Sequence, residues 1–302
     1  MSAEGDGTIP DDGDTTMSLR EAAERIGVHY MTAYRYVRGG RLPARKVGSG
    51  WRVDAEDLRR LVDGEDPETR NLLQGAGPRG THRVRLEATL IAGDEAGAWG
   101  VFESAMAAGA DPDELLLDML APSMASIGER WAAGELSISD EHRASAAALR
   151  LVSRLGPRFA RRGRKRGSIV IGCVAGDRHS LPTAIMRDLL RGEGFEVIDL
   201  GADTPAESFV EACSGADRLV AVALCVTAPQ VETSVRTTVE LLRSAEVGVP
   251  VVVGGGAVVS EDAAYALGAD RWSSDARSAL VMFGELASAR RAAGGSVAGD
   301  AG

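Results

Sequence analysis

The stretch Ser168-Ile169-Val170-Ile171-Gly172-Cys173-Val174-Ala175-Gly176-Asp177-Arg178-His179-Ser180-Leu181-Pro182 decides the fold. An apolar, β-branched run, then a polar loop, then a helix opened by Pro182 is how a parallel α/β sheet presents ligand-binding groups at its carboxyl edge. His179 falls on that edge. A neutral imidazole there can ligate a metal, and a carboxylate two residues earlier can hold its other ring nitrogen and fix the tautomer.

Outward toward the C-terminus the same alternation continues. Strands are expected at Ser168–Val174, Glu196–Leu200, Arg218–Leu224, Val249–Val253 and Asp270–Trp272. Helices are expected at Pro182–Arg191, Pro205–Ala212, Gln230–Ala245 and Asp262–Leu267, with one more capped by Asp275 and running to Ala287. Residues 167–290 therefore read as an α/β domain, a flavodoxin-like doubly wound parallel sheet of five strands. Residues 291–302 read as a disordered tail.

Toward the N-terminus, residues 82–162 carry helical stripes: Leu86, Leu90 and Ile91; Trp99, Phe102 and Met106; Leu115, Leu116, Met119 and Leu120; and Ala144 through Leu155. Four such stretches suit a four-helix bundle. Within it, Trp131 lies at a helix end, and Glu141-His142 open the next helix. Three such residues can converge on one ligand, or serve simply as core and cap. The basic run Arg161 to Arg166 joins bundle to sheet as a solvated linker or as a contact for DNA phosphates.

Composition narrows the remainder. The chain has 302 residues, 44% of them apolar, enough for two or three domains with real cores. Three cysteines without short paired spacing suggest neither a disulfide framework nor a thiolate zinc site. No stretch approaches the roughly 20 unbroken apolar residues of a membrane span. The start of the chain is acidic where a secretion signal would be basic and then apolar, so a cytoplasmic protein is expected. The net charge of −10 excludes a uniformly basic nucleic-acid binder, but it conceals an asymmetry. Residues 1–17 hold only acidic charges and read as a disordered tail. Ser18 to Val62 holds ten basic residues against five acidic ones. Residues 18–63 pattern as helix, tight turn, second helix, basic hairpin and third helix, which makes a winged helix-turn-helix DNA-binding domain. Its candidate DNA contacts are Thr32, Tyr34, Arg35, Arg38, Arg45, Lys46 and Arg52. Residues 64–81, rich in Gly and Pro, read as a linker.

Leu19-Arg20-Glu21-Ala22-Ala23, Gly40-Arg41-Leu42-Pro43 and Trp51-Arg52-Val53 together resemble the excisionase-like branch of the MerR superfamily. Trp131, Glu141 and His142, in a Trp-x9-Glu-His arrangement, resemble the helical cap of CarH/LitR-type cobalamin photoreceptors, where these residues line the upper face of adenosylcobalamin. The α/β domain resembles corrinoid-binding domains in three ordered places: Asp177-x-His179, Cys225-Val226-Thr227 and Gly254-Gly255-Gly256. The intervals also agree, with residues 183–224 between the first two motifs and 228–253 between the last two.

The resemblance implies that His179 is the lower axial cobalt ligand supported by Asp177. Cys225 and Thr227 would line the slot for the nucleotide tail, and Gly254 and Gly255 would admit that tail. Three positions depart from the family. Ala132 stands where light-responsive members carry a histidine, Pro182 replaces a glycine, and Cys225 replaces a serine. The implied protein is not an enzyme. It is an adenosylcobalamin-dependent, light-responsive transcriptional regulator that binds promoter DNA as a homo-oligomer, a dimer or tetramer. Two alternatives stand beside it: a corrinoid carrier for methyl transfer, and a DNA-binding regulator whose sensor domain has lost its cofactor.

Overall fold

A computed structural model describes residues 16–25, 33, 37, 42–47, 50–62 and 78–297. The chain divides into two compact units, Met1–Val84 and Arg85–Gly302.

In the first unit, β1 (Thr16–Ser18), α1 (Leu19–Arg25), β2 (Ala44–Val47), β3 (Gly50–Asp54) and α2 (Ala55–Val62) follow one another. The antiparallel sheet has the order β1-β3-β2. Ser18 and Glu21 form the capping box that starts α1: Glu21 Oε2 accepts the Ser18 N–H (2.8 Å) and Ser18 Oγ accepts the Glu21 N–H (3.2 Å). Asp54 Oδ1 accepts the Glu56 N–H at 2.8 Å and caps α2. Leu19, Ala22, Ala33, Leu42, Val53 and Leu58 form a small core. On the hairpin Arg45 and Arg52 are register partners, and both are exposed. Lys46 is exposed beside them. Thr32, Tyr34, Arg35 and Arg38 lie outside the described residues, as do residues 1–15 and 63–77.

Three boundaries differ from those expected. Thr16 and Met17 belong to β1, paired with Asp54 and Val53, rather than to a disordered tail. A three-residue edge strand has no periodicity to read; its partner strand creates it. Pro78–Thr81 begins a helix rather than ending a linker, because proline, a breaker inside helices, is preorganised for the first helical position. The last helix runs to Val297, beyond the expected start of a disordered tail at 291.

Four helical stretches follow, and the second unit begins within the first of them. These are α3 (Pro78–Ala92), α4 (Glu95–Ala107), a composite helix ending in α5 (Ala121–Ala132), and α6 (Ile138–Leu155). The composite helix comprises a turn at Pro112–Glu114 and a π-helical segment at Leu115–Leu120 before α5. The π segment has a local cause. Pro122 supplies no N–H, and the Ala121 N–H reaches the Leu116 carbonyl five residues back. That segment buries Leu115, Leu116, Met119 and Leu120. α6 begins at the capping box of Ser137 and Asp140, and it packs through small residues, Ala144, Ala147 and Ala148.

The α/β domain follows, with β4 (Ser168–Cys173), α7 (Ser180–Gly192), β5 (Glu196–Asp199), α8 (Ala206–Ser214), β6 (Leu219–Cys225), α9 (Glu232–Ser244), β7 (Val251–Gly254), α10 (Glu261–Ala266), β8 (Arg271–Ser273) and α11 (Ala276–Val297). The strands are parallel in the order β5-β4-β6-β7-β8. The chain leaves β4 to one side for β5 and returns to the other for β6. The switch point therefore lies between β4 and β6, where the loops after the two strands diverge and leave a crevice. Ile185 and Leu189 of α7 share the bundle's hydrophobic core, which docks the helical layer onto this end of the sheet.

Candidate functional site

The loop after β4 is held from both sides of the switch point. Its Asp177 is fully buried and accepts hydrogen bonds at both carboxylate oxygens. Oδ2 accepts the backbone N–H groups of Thr227 (2.6 Å) and Ala228 (3.1 Å). Oδ1 accepts the Thr227 hydroxyl (2.8 Å) and the His179 N–H (3.2 Å), and it lies 2.7 Å from His179 Nδ1. Burial pushes this carboxyl up, but the bonds from Thr227, the His179 ring and Ala228 outweigh it and hold Asp177 below the usual carboxylate range. Asp177 is thus an anion that accepts the Nδ1 proton. A ring that donates from Nδ1 in this way leaves Nε2 toward a ligand, and Nε2 has no partner among the described residues.

His179 faces a cavity of about 810 Å³ between the bundle and the sheet's carboxyl end. That is near the top of the range of roughly 300–1,000 Å³ usual for small-molecule sites. From the bundle, Trp131 and Glu141 enter the lining, with 45% of Trp131 left exposed. His142 lines it too, its Nε2 3.8 Å from Glu141 Oε2. Ser145 Oγ donates to Glu141 Oε1 at 2.6 Å and fixes that carboxylate. From the sheet, Cys225, Thr227, Gly254 and Gly255 complete the wall. The structure therefore brings eight of the nine ligand-site residues expected from sequence onto one cavity, and the ninth, Asp177, lies behind His179 and supports it.

The glycines divide by role. Gly255 has φ +118°, and a Cβ there would stand 2.3 Å from the Val226 carbonyl oxygen, so chain packing alone demands it. Gly256 has open space around its missing Cβ, as does Gly128 on α5, which also lines the cavity. Cys225 pairs in register with Cys173 across β4 and β6. The Cys173 Sγ–H donates to the His179 carbonyl at 3.2 Å, and contact with Cys225 together with burial holds the Cys173 thiol strongly protonated. Arg178, Ser145, Gly128 and the Ser273–Asp275 turn also line the cavity. Sequence reasoning passed over them as lining residues. Only the step of three or four residues along α5 and α6 from Trp131 and Glu141 signals Gly128 and Ser145.

Among the described residues no three His, Cys, Asp or Glu side chains gather to enclose a metal ion. A single oriented imidazole facing a large, mainly apolar space is the donor set wanted by a metal whose equatorial ligands come from a macrocycle. The residues present therefore fit a corrinoid. His179 would hold the cobalt from below, and the residues of α5 and α6 would cover the opposite face.

Residues 83–155 and 167–281 each match a family described as a B12 binding domain, and residues 16–65 match a helix-turn-helix domain. The chain is 29% identical over 186 residues to trimethylamine corrinoid protein 1 of Methanosarcina acetivorans, covering 61% of this chain and 86% of that protein. It is 35% identical over 185 residues to the dimethylamine corrinoid protein of Methanosarcina barkeri, covering 58% and 84%. The structure of the Methanosarcina barkeri monomethylamine corrinoid protein shares the fold, with a TM-score of 0.57 at 20% identity over 65% of this chain and 94% of that one.

Fold and site together define a cobalamin-binding protein made of a helical cap and an α/β domain. The chain belongs to the family of B12-binding corrinoid proteins, and it carries in addition a unit of helix-turn-helix type. Among the described residues no helix is long and apolar enough to cross a membrane.

Proposed function

We propose that the chain is a cobalamin-dependent DNA-binding regulator, in which the corrinoid module reads the ligand and the N-terminal unit reads promoter DNA. The observation that carries this reading is the union in one chain of two B12 binding domains with a helix-turn-helix domain. The hairpin supports it. Arg45 and Arg52 directly oppose each other, a like-charge pairing that costs sheet stability and suits phosphate contact. Thr32, Tyr34, Arg35, Arg38 and Lys46 complete the proposed contact set.

In the proposed site, His179 is the lower axial ligand, and Asp177 fixes its tautomer. Cys225, Thr227, Gly254 and Gly255 receive the nucleotide tail, while Trp131, Glu141 and His142 cover the upper face. Adenosylcobalamin is the favoured form, and its cobalt–carbon bond supplies light sensitivity when bound. Ala132 offers no imidazole at the position where light-responsive members of the resembled family carry a histidine. Ligand-bound copies assemble as a homo-oligomer whose linked DNA-binding units multiply affinity. The chain itself is proposed to catalyse no reaction, and to act in the cytoplasm.

The second reading is a corrinoid carrier for methyl transfer, and the named relatives favour it over regulation. One experiment separates the readings. The full chain is mixed with adenosylcobalamin in the dark, passed through gel filtration, and its absorption spectrum and DNA retention are read before and after illumination, with His179→Ala alongside. The regulator reading expects retained corrin, an axial-ligand spectral change lost in His179→Ala, and DNA retention that depends on the corrin. Retained corrin without DNA binding, together with methyl exchange against methylcobalamin, would replace it by the carrier. No retained corrin would sink both.

A further inference from the structure

We infer that Arg178 binds the phosphodiester of the cobalamin nucleotide tail and so selects complete cobalamins over corrinoids that lack the tail. The inference rests on the cobalamin assignment of the cavity. Arg178 lines that cavity, is exposed to it, and has neither an ion-pair nor a hydrogen-bond partner among the described residues. The other charged side chains of the lining are satisfied. Ser145 binds Glu141 at 2.6 Å, and Asp275 caps α11 by accepting the Ser278 N–H (2.9 Å) and hydroxyl (2.7 Å). Arg178 is the one Lys or Arg side chain of this lining, exposed at the edge of a largely apolar space where a ligand anion can pair with it.

The position of Arg178 identifies which anion. The preceding residue, Asp177, is bound to Thr227, on the wall where the tail slot runs from Thr227 to Gly256. The following residue, His179, faces the cobalt position. Arg178 therefore leaves the loop between the residue that would hold the cobalt and the residue bound to the proposed tail wall. In cobalamin the phosphodiester links the corrin's side arm to the ribose and base, and it is the one anionic group outside the corrin ring. A guanidinium meets such a group with two parallel N–H donors, and the corrin amides offer no comparable charge.

The test measures the affinity of the full chain for hydroxocobalamin and for aquocyanocobinamide, which has the same corrin without phosphate, ribose or base. Binding is read from absorption and gel filtration. Arg178→Gln is expected to weaken hydroxocobalamin binding by about tenfold and to leave the cobinamide affinity unchanged. Arg178→Lys should recover part of the loss, and added salt should narrow the difference between wild type and Arg178→Gln. If Arg178→Gln lowers both affinities equally, or neither, the phosphate assignment is overturned while the cobalamin site stands. If the wild-type chain retains neither corrinoid, the cobalamin assignment itself falls, and this inference with it.

Discussion

Thr227 holds Asp177 across the switch point of the sheet with both its backbone N–H (2.6 Å) and its hydroxyl (2.8 Å), although the two residues are 50 positions apart. The proposed lower ligand is thus oriented from β6 as well as from its own loop. Thr227→Val keeps the backbone bond and removes the hydroxyl. The His179 ring should lose precision rather than position, and cobalamin affinity should fall by about tenfold with little change in thermal stability, checked by absorption titration and calorimetry.

Asp177→Asn replaces an acceptor-only group by one that points N–H donors at the N–H groups of Thr227 and Ala228. Its pH dependence has a definite sign. The folded-state pKa of Asp177 lies below its unfolded value, so the stability it contributes is fully present above the unfolded value, near about pH 4, and is lost as pH falls through the lower folded value. Wild type should exceed Asp177→Asn in urea midpoint at neutral pH, and the gap should close on acidification below about pH 4. A gap independent of pH would show that Asp177 is not ionised in the folded protein.

Ser123 tests the bundle separately from the site. Its hydroxyl is fully buried on α5 and has no hydrogen-bond partner among the described residues. Ser123→Ala should therefore raise unfolding free energy by on the order of 1 kcal/mol, measured by denaturant titration, with cobalamin affinity unchanged.

The π-helical segment turns Leu117 into the cavity and Asp118 toward α11, where Arg277 binds its carboxylate through two nitrogens at 3.0 and 2.9 Å. Contact with Asp118 raises the Arg277 pKa above its ordinary value. The apolar docking of α7 holds the helical layer at one place, and this exposed ion pair holds it at another. Asp118→Asn should leave thermal stability nearly unchanged but speed cobalamin dissociation in stopped-flow chase. The two proteins should converge at high salt, where the pair is screened.

The α/β order was legible because each strand is a short β-branched run and each crossover a helical stripe, so local pattern and topology agree from Ser168 to Phe283. The candidate site residues were legible as spaced motifs, since Asp177 follows β4 and Cys225 and Gly254 end β6 and β7. What escaped depends on contacts distant in sequence. Thr16 and Met17 are a strand only because β3 pairs with them. The tie from Asp118 to Arg277 spans 159 positions and has no local signature. The place of Arg178 on the cavity wall, without a partner among the described residues, likewise has no local signature. Gly255, read as an opening for a ligand, is also required by the Val226 carbonyl, and a motif glycine does not announce which of two demands it meets.

Gly128 discriminates between the two functional readings. It lies one helical turn before Trp131, lines the cavity, and has no atom within 4 Å of the place a Cβ would take. A side chain there grows into the space above the proposed corrin. It also replaces glycine within a helix, a change that by itself stabilises by roughly 0.5–1 kcal/mol. Gly128→Leu should therefore be at least as stable as wild type in thermal melts. If the space serves an adenosyl group, the substitution should weaken adenosylcobalamin binding at least tenfold and leave methylcobalamin binding within about twofold, each measured by absorption titration in the dark. Equal loss for both would show that the space belongs to the corrin ring. No loss for either would leave the upper face without a bulky ligand, in keeping with a methyl carrier.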